Sequence, residues 1–211
     1  MPGAFRLKKA PDKKRLEQAF LEVIRKDAAF RTYFAQEPDG IFVHIADQVS
    51  FGIEELEAAD FEAACAAFLR PFDLAKAPLL RAALWKEPDG DWVLFLDSHH
   101  IIGDGMSTPI VLERLKKAYG GESLPESLGY QDYSYALQSR SGAGREGCLE
   151  YWKEHLKSLP EPLELPGDFT RQKHFDFKGK EYGFVLSEKE SGAIREYCHR
   201  EGVSSFALFL A

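Results

Sequence analysis

The spacing of apolar residues along the chain predicts several amphipathic helices. Apolar side chains recur every three or four positions after Pro11-Asp12, so a helix is expected to open there and to continue to about Lys26. Later helices are expected at 60–69, 107–119, 147–159, 187–201 and 204–211. The faces expected to be buried carry Ile110, Val111, Leu112 and Leu115 in the helix at 107–119, and Leu149, Trp152, His155 and Leu156 in the helix at 147–159.

Short apolar runs bounded by turn residues predict β-strands between the helices. These runs lie at 4–7, 30–34, 41–45, 78–85, 92–97 and 181–186. Pro-Asp-Gly segments at 38–40 and 88–90 predict hairpin turns. A glycine-rich loop is expected at 139–145 and an extended segment with three prolines at 160–166. Because strands and helices mix without a regular strand-helix-strand order, the sequence predicts a mixed α/β sandwich rather than a doubly wound sheet.

Composition and charge narrow the possible functions. The 211 residues are 45% hydrophobic, as in a globular protein with one large domain or two small ones. A net charge of −7 without a long basic run argues against nucleic-acid binding. No apolar run approaches the length of about 18 residues that a membrane span needs, and the first seven residues lack a signal-peptide core. The three widely spaced cysteines, Cys65, Cys148 and Cys198, favour neither a metal site nor a disulfide framework, and they indicate a reducing cytoplasm.

The most distinctive chemical feature is a pair of histidines directly after the apolar run at 92–97. Successive side chains of a strand point to opposite faces, so one of His99 and His100 is expected to face a cavity while the other packs inward. Asp104-Gly105 is expected to form a sharp turn, where glycine tolerates backbone angles that a bulkier residue resists. A histidine fixed at a strand end can handle a proton or orient a nucleophile near neutral pH.

A metal site is not expected at this pair. Adjacent histidines on a strand diverge, and no third convincing ligand joins them and Asp104. The other histidines lie outside any motif and are interpreted as surface or packing residues. They are His44, His155, His174 and His199.

The His-His-x-x-x-Asp-Gly pattern at 99–105 resembles the active-site motif of the condensation domains of nonribosomal peptide synthetases. The motif also occurs in the wider superfamily with the chloramphenicol acetyltransferase fold. Four further segments resemble family signatures, in the same order and at similar spacing. They are Phe-Arg-Thr-Tyr-Phe at 30–34, Phe-Asp-Leu followed by Pro-Leu-Leu-Arg-Ala at 72–82, Tyr-Gln-Asp-Tyr-Ser at 130–134, and Tyr151-Trp152 with Leu-Glu-Leu-Pro-Gly-Asp at 163–168. The resemblance covers essentially the whole chain.

Departures from the family pattern shape what the resemblance implies. The family's opening motif, expected before Ala4, is missing, Lys26-Asp27-Ala28 stands where Arg-His-Glu is usual, and Met106 stands where Trp is common. A full condensation domain is also roughly twice as long. The resemblance therefore implies that residues 1–211 are the N-terminal lobe of such a domain, truncated at both ends. The fold it implies is a mixed sheet flanked by helices, one lobe of a chloramphenicol acetyltransferase-like pseudo-dimer.

The resemblance also implies roles for the motif residues. His100 is expected to be the catalytic residue, which accepts a proton from the attacking amine or holds that amine by a hydrogen bond. His99 is expected to face the other way and to be structural. Asp104 is expected to form a structural ion pair with Arg31. Gly105 is expected to be mainly a turn residue, with a backbone N–H that could help to hold an oxyanion.

The implied reaction is amide-bond formation between an acyl or peptidyl thioester donor and an aminoacyl thioester acceptor. The resemblance implies no cofactor or metal bound by this chain, because phosphopantetheine arms on peptidyl or acyl carrier proteins present both substrates. The missing C-terminal lobe is a further expected partner, without which the chain is expected to be inactive or very weak. The severed face of the lobe is expected to be apolar and to promote self-association.

Two alternatives stay open. The chain could belong to a superfamily O-acyltransferase of the wax-ester-synthase type, although the signatures at 72–82 and 130–134 favour the peptide-forming branch. It could also be a non-catalytic lobe that docks a carrier protein or serves as a scaffold. Carrier binding without turnover would favour that second alternative.

Overall fold

A computed structural model describes residues 1–139, 143–159, 161, 167, 169–170, 179 and 182–211, and for residues 143–145 it describes the backbone only. The chain folds as two compact units, Met1–Ser158 and Leu159–Ala211. Within the described residues, no helix is long and apolar enough to cross a membrane.

The first unit is built on a mixed sheet of four strands. The strands are β1 (Pro2–Leu7), β4 (Ile53–Leu56), β5 (Leu80–Lys86) and β6 (Trp92–Ser98). Their spatial order is β1-β6-β5-β4, with β4 parallel to β5 and the other two pairs antiparallel. The remaining strands, β2 (Thr32–Glu37) and β3 (Gly40–Ile45), form a separate hairpin.

Helices complete both units. The first unit contains α1 (Lys13–Lys26), α2 (Phe61–Phe68), α3 (Ser107–Gly120), α4 (Tyr130–Ser139) and α5 (Ala143–His155). Short 3-10 turns lie at Ala28–Arg31 and His100–Ile102. The second unit contains α6 (Glu188–Glu201) and α7 (Ser205–Leu210). The Ser187 side chain and Glu190 form the capping box that starts α6, as their spacing predicts.

The two central strands are buried on both faces, which explains their continuous apolar sequence. Residues that alternate along β5 and β6 pack on opposite sides because the side-chain period of a strand is two. One face packs against α1 and α3, and the other packs against α2. The first core contains Ala82, Leu84, Leu94, Leu96, Phe20, Val23, Ile24, Val111 and Leu115, and the second contains Ala83, Trp85, Val93, Phe95, Ala64 and Phe68. The predicted mixed sheet with flanking helices is confirmed.

Some sequence-based predictions are wrong. The strand β4 was not predicted, because its sequence Ile-Glu-Glu-Leu is short and half acidic. The strand predicted at 181–186 is absent from its described part, 182–186. Several side chains expected to be buried are exposed. They are Ile110 on α3 and all four residues of the face predicted at 147–159, Leu149, Trp152, His155 and Leu156. The helix predicted at 147–159 spans Ala143–His155 instead.

Other predictions fall on residues outside the described part of the chain. They concern the loop at 140–142, the prolines at 160, 162 and 166, His174, and the signature at 163–168 apart from Gly167.

Candidate active site

The two histidines follow the end of β6 and do not belong to it. The strand ends at Ser98, and His100 begins the 3-10 turn that reaches Ile102. Strand alternation therefore does not apply to the pair, and the reason given for their divergence was wrong. The two rings nonetheless have different surroundings, because the chain turns at His99.

His99 is held by its backbone and by its ring. Its N–H donates to the Leu79 carbonyl at 2.9 Å, one step beyond the ladder of β5 and β6. Its Nδ1 accepts a hydrogen bond from the Ile101 N–H at 3.1 Å. An accepting Nδ1 carries no proton, so this geometry assigns the neutral ring a proton on Nε2. The ring also lies perpendicular to Phe72, with the two centroids 6.0 Å apart.

His100 lies on a cavity of about 230 Å³ that His99 does not line. Gly105 lines the same cavity, so the structure brings these two predicted site residues together. Ser98 and Thr108 also line the wall, together with Met1, whose ammonium group donates to the Ser98 carbonyl at 2.6 Å. The apolar contributors include Pro2, Gly3, Phe5 and Leu96. His100 is exposed, and its ring has no hydrogen-bond partner among the described residues.

Asp104 accepts hydrogen bonds in the turn before α3, whose N-cap residue is Met106. Its Oδ1 accepts hydrogen bonds from the N–H groups of Met106 and Ser107 and from the Ser107 hydroxyl, each at 3.0 Å. These bonds, with a smaller contribution from the nearby His100, lower the pKa of the Asp104 carboxyl below its ordinary value. A carboxylate at this position also suits the partial positive charge of a helix N-terminus. Asp104 therefore fixes the turn that carries Gly105.

The predicted ion pair between Asp104 and Arg31 is wrong. Both residues are described, and they do not form a salt bridge. Arg31 instead donates from Nη1 to the Ala46 carbonyl at 2.7 Å, while the Ala46 N–H donates to the Arg31 carbonyl at 2.8 Å. Arg31 thus ties the base of the hairpin of β2 and β3. The Asp104 carboxylate accepts hydrogen bonds from Met106 and Ser107 in its own turn, and not from the Arg31 guanidinium.

The two glycines of this turn, Gly103 and Gly105, differ in the space around their Cα atoms. Gly105 does not adopt a left-handed backbone, and a Cβ there would meet no described atom within 4 Å. The predicted backbone reason for a glycine at 105 is therefore wrong. A Cβ on Gly103 would lie 3.1 Å from the Ser107 Oγ and 3.2 Å from its Cβ. Gly103 permits the close approach of Ser107, and Gly105 leaves open space beside the cavity.

Sequence reasoning missed three residues of this region. Ser107 and Thr108 follow the motif directly, and their hydroxyl groups were the available signal. Phe72 belongs to a signature that was noticed without a role. Its ring contacts both His99 and the Arg81 guanidinium, whose Cζ lies 3.6 Å from the ring centroid.

Carboxylates that could hold a metal lie elsewhere in the described part of the chain. Glu87, Asp89 and Asp91 place oxygens within 4.8 Å of one another in the turn before β6. That turn is at the opposite end of β6 from the histidines, and Glu87 already pairs with Arg6 at 2.8 Å.

The sequence signatures agree with comparisons to known proteins. The family model described as condensation domain matches residues 1–211. The chain belongs to the condensation domain family. Surfactin synthase subunit 1 of Bacillus subtilis (strain 168) is 34% identical over 214 residues, and the match covers all of this chain and 6% of that protein. The chain is thus similar to one small part of a much longer synthase.

Solved structures support the fold of this condensation domain chain. The X-domain from teicoplanin biosynthesis has a TM-score of 0.74 at 21% identity, with 97% of this chain and 49% of that chain covered. The SgcC5 protein of Streptomyces globisporus has a TM-score of 0.73 at 21% identity, with 98% and 50% covered. The chain spans about half the length of each.

Proposed function

We propose that residues 1–211 are the N-terminal lobe of a condensation domain that forms amide bonds in nonribosomal peptide synthesis. The amine of an aminoacyl thioester on one carrier protein attacks the carbonyl carbon of an acyl or peptidyl thioester on another. The C–N bond forms, the C–S bond breaks, and the leaving thiolate receives the proton that the amine loses. The observation that carries this proposal is that His100 and Gly105 line one cavity.

His100 is the proposed catalytic residue. Its ring reaches the cavity, and the neighbouring His99 is engaged with Ile101 and Phe72 instead. Because no described group hydrogen-bonds the His100 ring, its nitrogens are available to an amine. The ring can accept the amine proton or hold the amine in position, and both actions speed an attack on a carbonyl.

Gly105 is proposed to act through its backbone. The oxygen of the thioester carbonyl becomes negatively charged during attack, and an N–H group aimed at it stabilises that charge. No hydrogen bond among the described residues uses the Gly105 N–H. The open space around its Cα leaves room for a substrate to approach.

A second lobe is proposed to complete the site. Large apolar side chains remain exposed on α4, on α5 and at Leu156 directly after it, and large exposed apolar surfaces mark interaction sites. They are Tyr130, Tyr133, Tyr135, Leu137, Leu149, Tyr151, Trp152 and Leu156. Since the solved relatives are about twice as long, the C-terminal lobe is the proposed partner, and the chain alone is proposed to be inactive or very weak.

Peptidyl or acyl carrier proteins are proposed to deliver both substrates on phosphopantetheine arms. The arms belong to the substrates and not to this chain. The thioester itself provides the activation, so the step as proposed consumes no nucleotide.

The test measures condensed product on the carriers by intact mass. Carriers loaded with a model donor and an aminoacyl acceptor are incubated with this chain, and separately with this chain fused to a condensation-domain C-terminal lobe. We expect product only from the fusion. Product from the chain alone would overturn the proposed need for a partner lobe.

Two further outcomes would overturn the amide-forming function. Faster product formation with an alcohol acceptor than with the amine would identify an O-acyltransferase. Carrier binding without product in either arm would identify a docking or scaffold lobe, provided that the same loaded carriers react with a condensation domain of known activity.

A further inference from the structure

Phe72 lies between a buried ion pair and the histidine turn. The Arg81 guanidinium covers its ring, with Cζ 3.6 Å from the ring centroid. The His99 ring lies perpendicular to it, with the centroids 6.0 Å apart and an interplanar angle of 87°. Cation–π and edge-to-face contacts both fix the orientation of an aromatic ring as well as its position.

The cation that holds Phe72 is itself fixed. Arg81 and Asp97 are the only buried polar or charged residues in the described part of the chain. Arg81 Nε lies 3.3 Å from Asp97 Oδ2, and Nη2 donates to the Arg70 carbonyl. A buried guanidinium held in this way has little freedom, because leaving its partners would strand its charge. Because Arg81 and Asp97 lie on β5 and β6, these strands determine the position of the guanidinium that contacts the Phe72 ring.

The Phe72 ring completes the restraint of His99. The backbone of His99 is bound to Leu79 and its Nδ1 is bound to Ile101, and the perpendicular contact with Phe72 adds a third restraint on the ring. His100 follows directly and has no hydrogen-bond partner of its own among the described residues. Its direction into the cavity consequently depends on how firmly the preceding residue is held.

We propose that Phe72 is a positioning residue, which locks the His99 ring and thereby aims His100 into the cavity. The inference rests on the proposed function of His100. Phe72 does not line the His100 cavity. It lines a separate cavity of about 320 Å³ together with Arg70, Lys76 and Arg81, and it acts on the site through His99 alone.

The first test observes His99 directly, without any substrate. The 211-residue chain is labelled with ¹⁵N-histidine, and the His99 ring signals are assigned with a His99→Asn variant. We expect wild-type protein to show the tautomer with the proton on Nε2. Phe72→Leu removes the ring and should produce mixed or broadened His99 signals. If this variant folds poorly, Phe72→Met replaces it, because methionine removes the ring and has a volume similar to that of phenylalanine.

Two variants control this experiment. Phe72→Tyr keeps the ring beside the cavity that Phe72 lines, and it should retain the wild-type signals. Phe61→Leu removes an aromatic ring that is half exposed and stacks on Phe95 at 5.7 Å, away from the histidines. It should also leave the His99 signals unchanged. Unaltered His99 signals in Phe72→Leu and Phe72→Met would overturn the inference.

The second test measures kinetics in the two-lobed fusion. A small misplacement of a catalytic group can cost about 10- to 100-fold in rate. Phe72→Leu is expected to lower kcat by about that factor with little change in KM, and Phe72→Tyr is expected to restore most of the rate. An unchanged kcat in Phe72→Leu, while His100→Ala is inactive, would overturn the positioning role and leave the proposed function intact. An active His100→Ala would instead overturn the proposed function, whatever Phe72 does.

Discussion

Arg81 and Asp97 lie directly opposite each other on β5 and β6, and their side chains form the most deeply buried ion pair in the described part of the chain. Their side chains are 9% and 7% exposed. Burial lowers the pKa of the Arg81 guanidinium, and the charge of Asp97 opposes that shift. Asp97 lies two residues before His99. The ion pair therefore stabilises the ends of β5 and β6 next to the histidine turn.

Breaking this pair should destabilise the protein strongly. Asp97→Leu leaves the buried Arg81 charge without its carboxylate and also removes the acceptor of the Met1 ammonium group, which lies 3.1 Å from Asp97 Oδ1. Such changes typically cost about 3–5 kcal/mol in the free energy of unfolding. Urea denaturation measures the loss. The double variant Arg81→Met/Asp97→Leu removes both charges and should be more stable than Asp97→Leu alone. As a control, Lys117→Met removes an exposed pair with Glu113 on α3 and should change stability little. Equal stability of Asp97→Leu and Lys117→Met would contradict the structural role of the buried pair.

The two glycines of the histidine turn offer a matched comparison. A methyl group at 103 would press on Ser107, so Gly103→Ala should lower the free energy of unfolding by about 1–3 kcal/mol. Gly105→Ala enters open space with an ordinary backbone conformation and should change it by less than about 0.5 kcal/mol. Urea denaturation distinguishes the two. A larger loss of unfolding free energy from Gly105→Ala than from Gly103→Ala would contradict the close contact assigned to Gly103 and the open space assigned to Gly105.

Removing the Asp104 carboxylate should weaken the start of α3. Asp104→Asn loses a charged acceptor for two N–H groups and the Ser107 hydroxyl, so its thermal midpoint should fall below that of wild type at neutral pH. The Asp104 pKa is lowered in the folded protein. Its contribution to stability is therefore fully present above its unfolded pKa and is lost as the pH falls through the lowered folded pKa.

The pH dependence provides the check on this assignment. The difference in thermal midpoint between wild type and Asp104→Asn should shrink as the pH falls below about 4. Arg31→Met serves as the comparison, because the Arg31 side chain bonds to the Ala46 carbonyl and not to Asp104. If the Arg31 and Asp104 substitutions proved strongly coupled in a double-mutant cycle, the two residues would be partners after all.

The exposed apolar side chains of α4 and α5 should make the isolated chain associate with itself. Sedimentation at increasing concentration is expected to show larger species for the 211-residue chain. Paired substitution of Tyr151 and Trp152 by Ser should reduce them, because both side chains are more than half exposed. Fusion to the C-terminal lobe should have the same effect. A chain that stays monomeric at all concentrations would contradict the prediction.

Most of the first unit could be predicted from sequence, because its elements carry local signals. Asp12 accepts from the Arg15 N–H at the start of α1, and the two Pro-Asp-Gly turns join β2 to β3 and β5 to β6. The strand β4 had no such signal, because it forms by parallel pairing with β5, which is distant in the sequence. The helix α4 was not predicted. The face of α5 that was expected to be buried is exposed, because apolar periodicity does not reveal what covers a helix.

Two of the predicted site residues line one cavity, and the contacts around them were predicted less well. The motif identified His100 and Gly105, which share a cavity. It also suggested an ion pair for Asp104, but the Ser107 hydroxyl and nearby N–H groups satisfy that carboxylate locally. The contact of Phe72 with His99 joins residues 27 positions apart in sequence. Such a contact depends on the tertiary fold and leaves no local pattern.

The most direct test of the central claim compares His100→Ala with wild type in the two-lobed fusion. Condensed product on the loaded carriers is followed by intact mass, with thermal unfolding as the measure of folding. Because His100 is exposed and its ring has no hydrogen-bond partner among the described residues, the variant should fold as wild type does. We expect its rate of amide formation to fall by about 10²- to 10⁴-fold. A well-folded His100→Ala fusion that condenses at the wild-type rate would contradict the account.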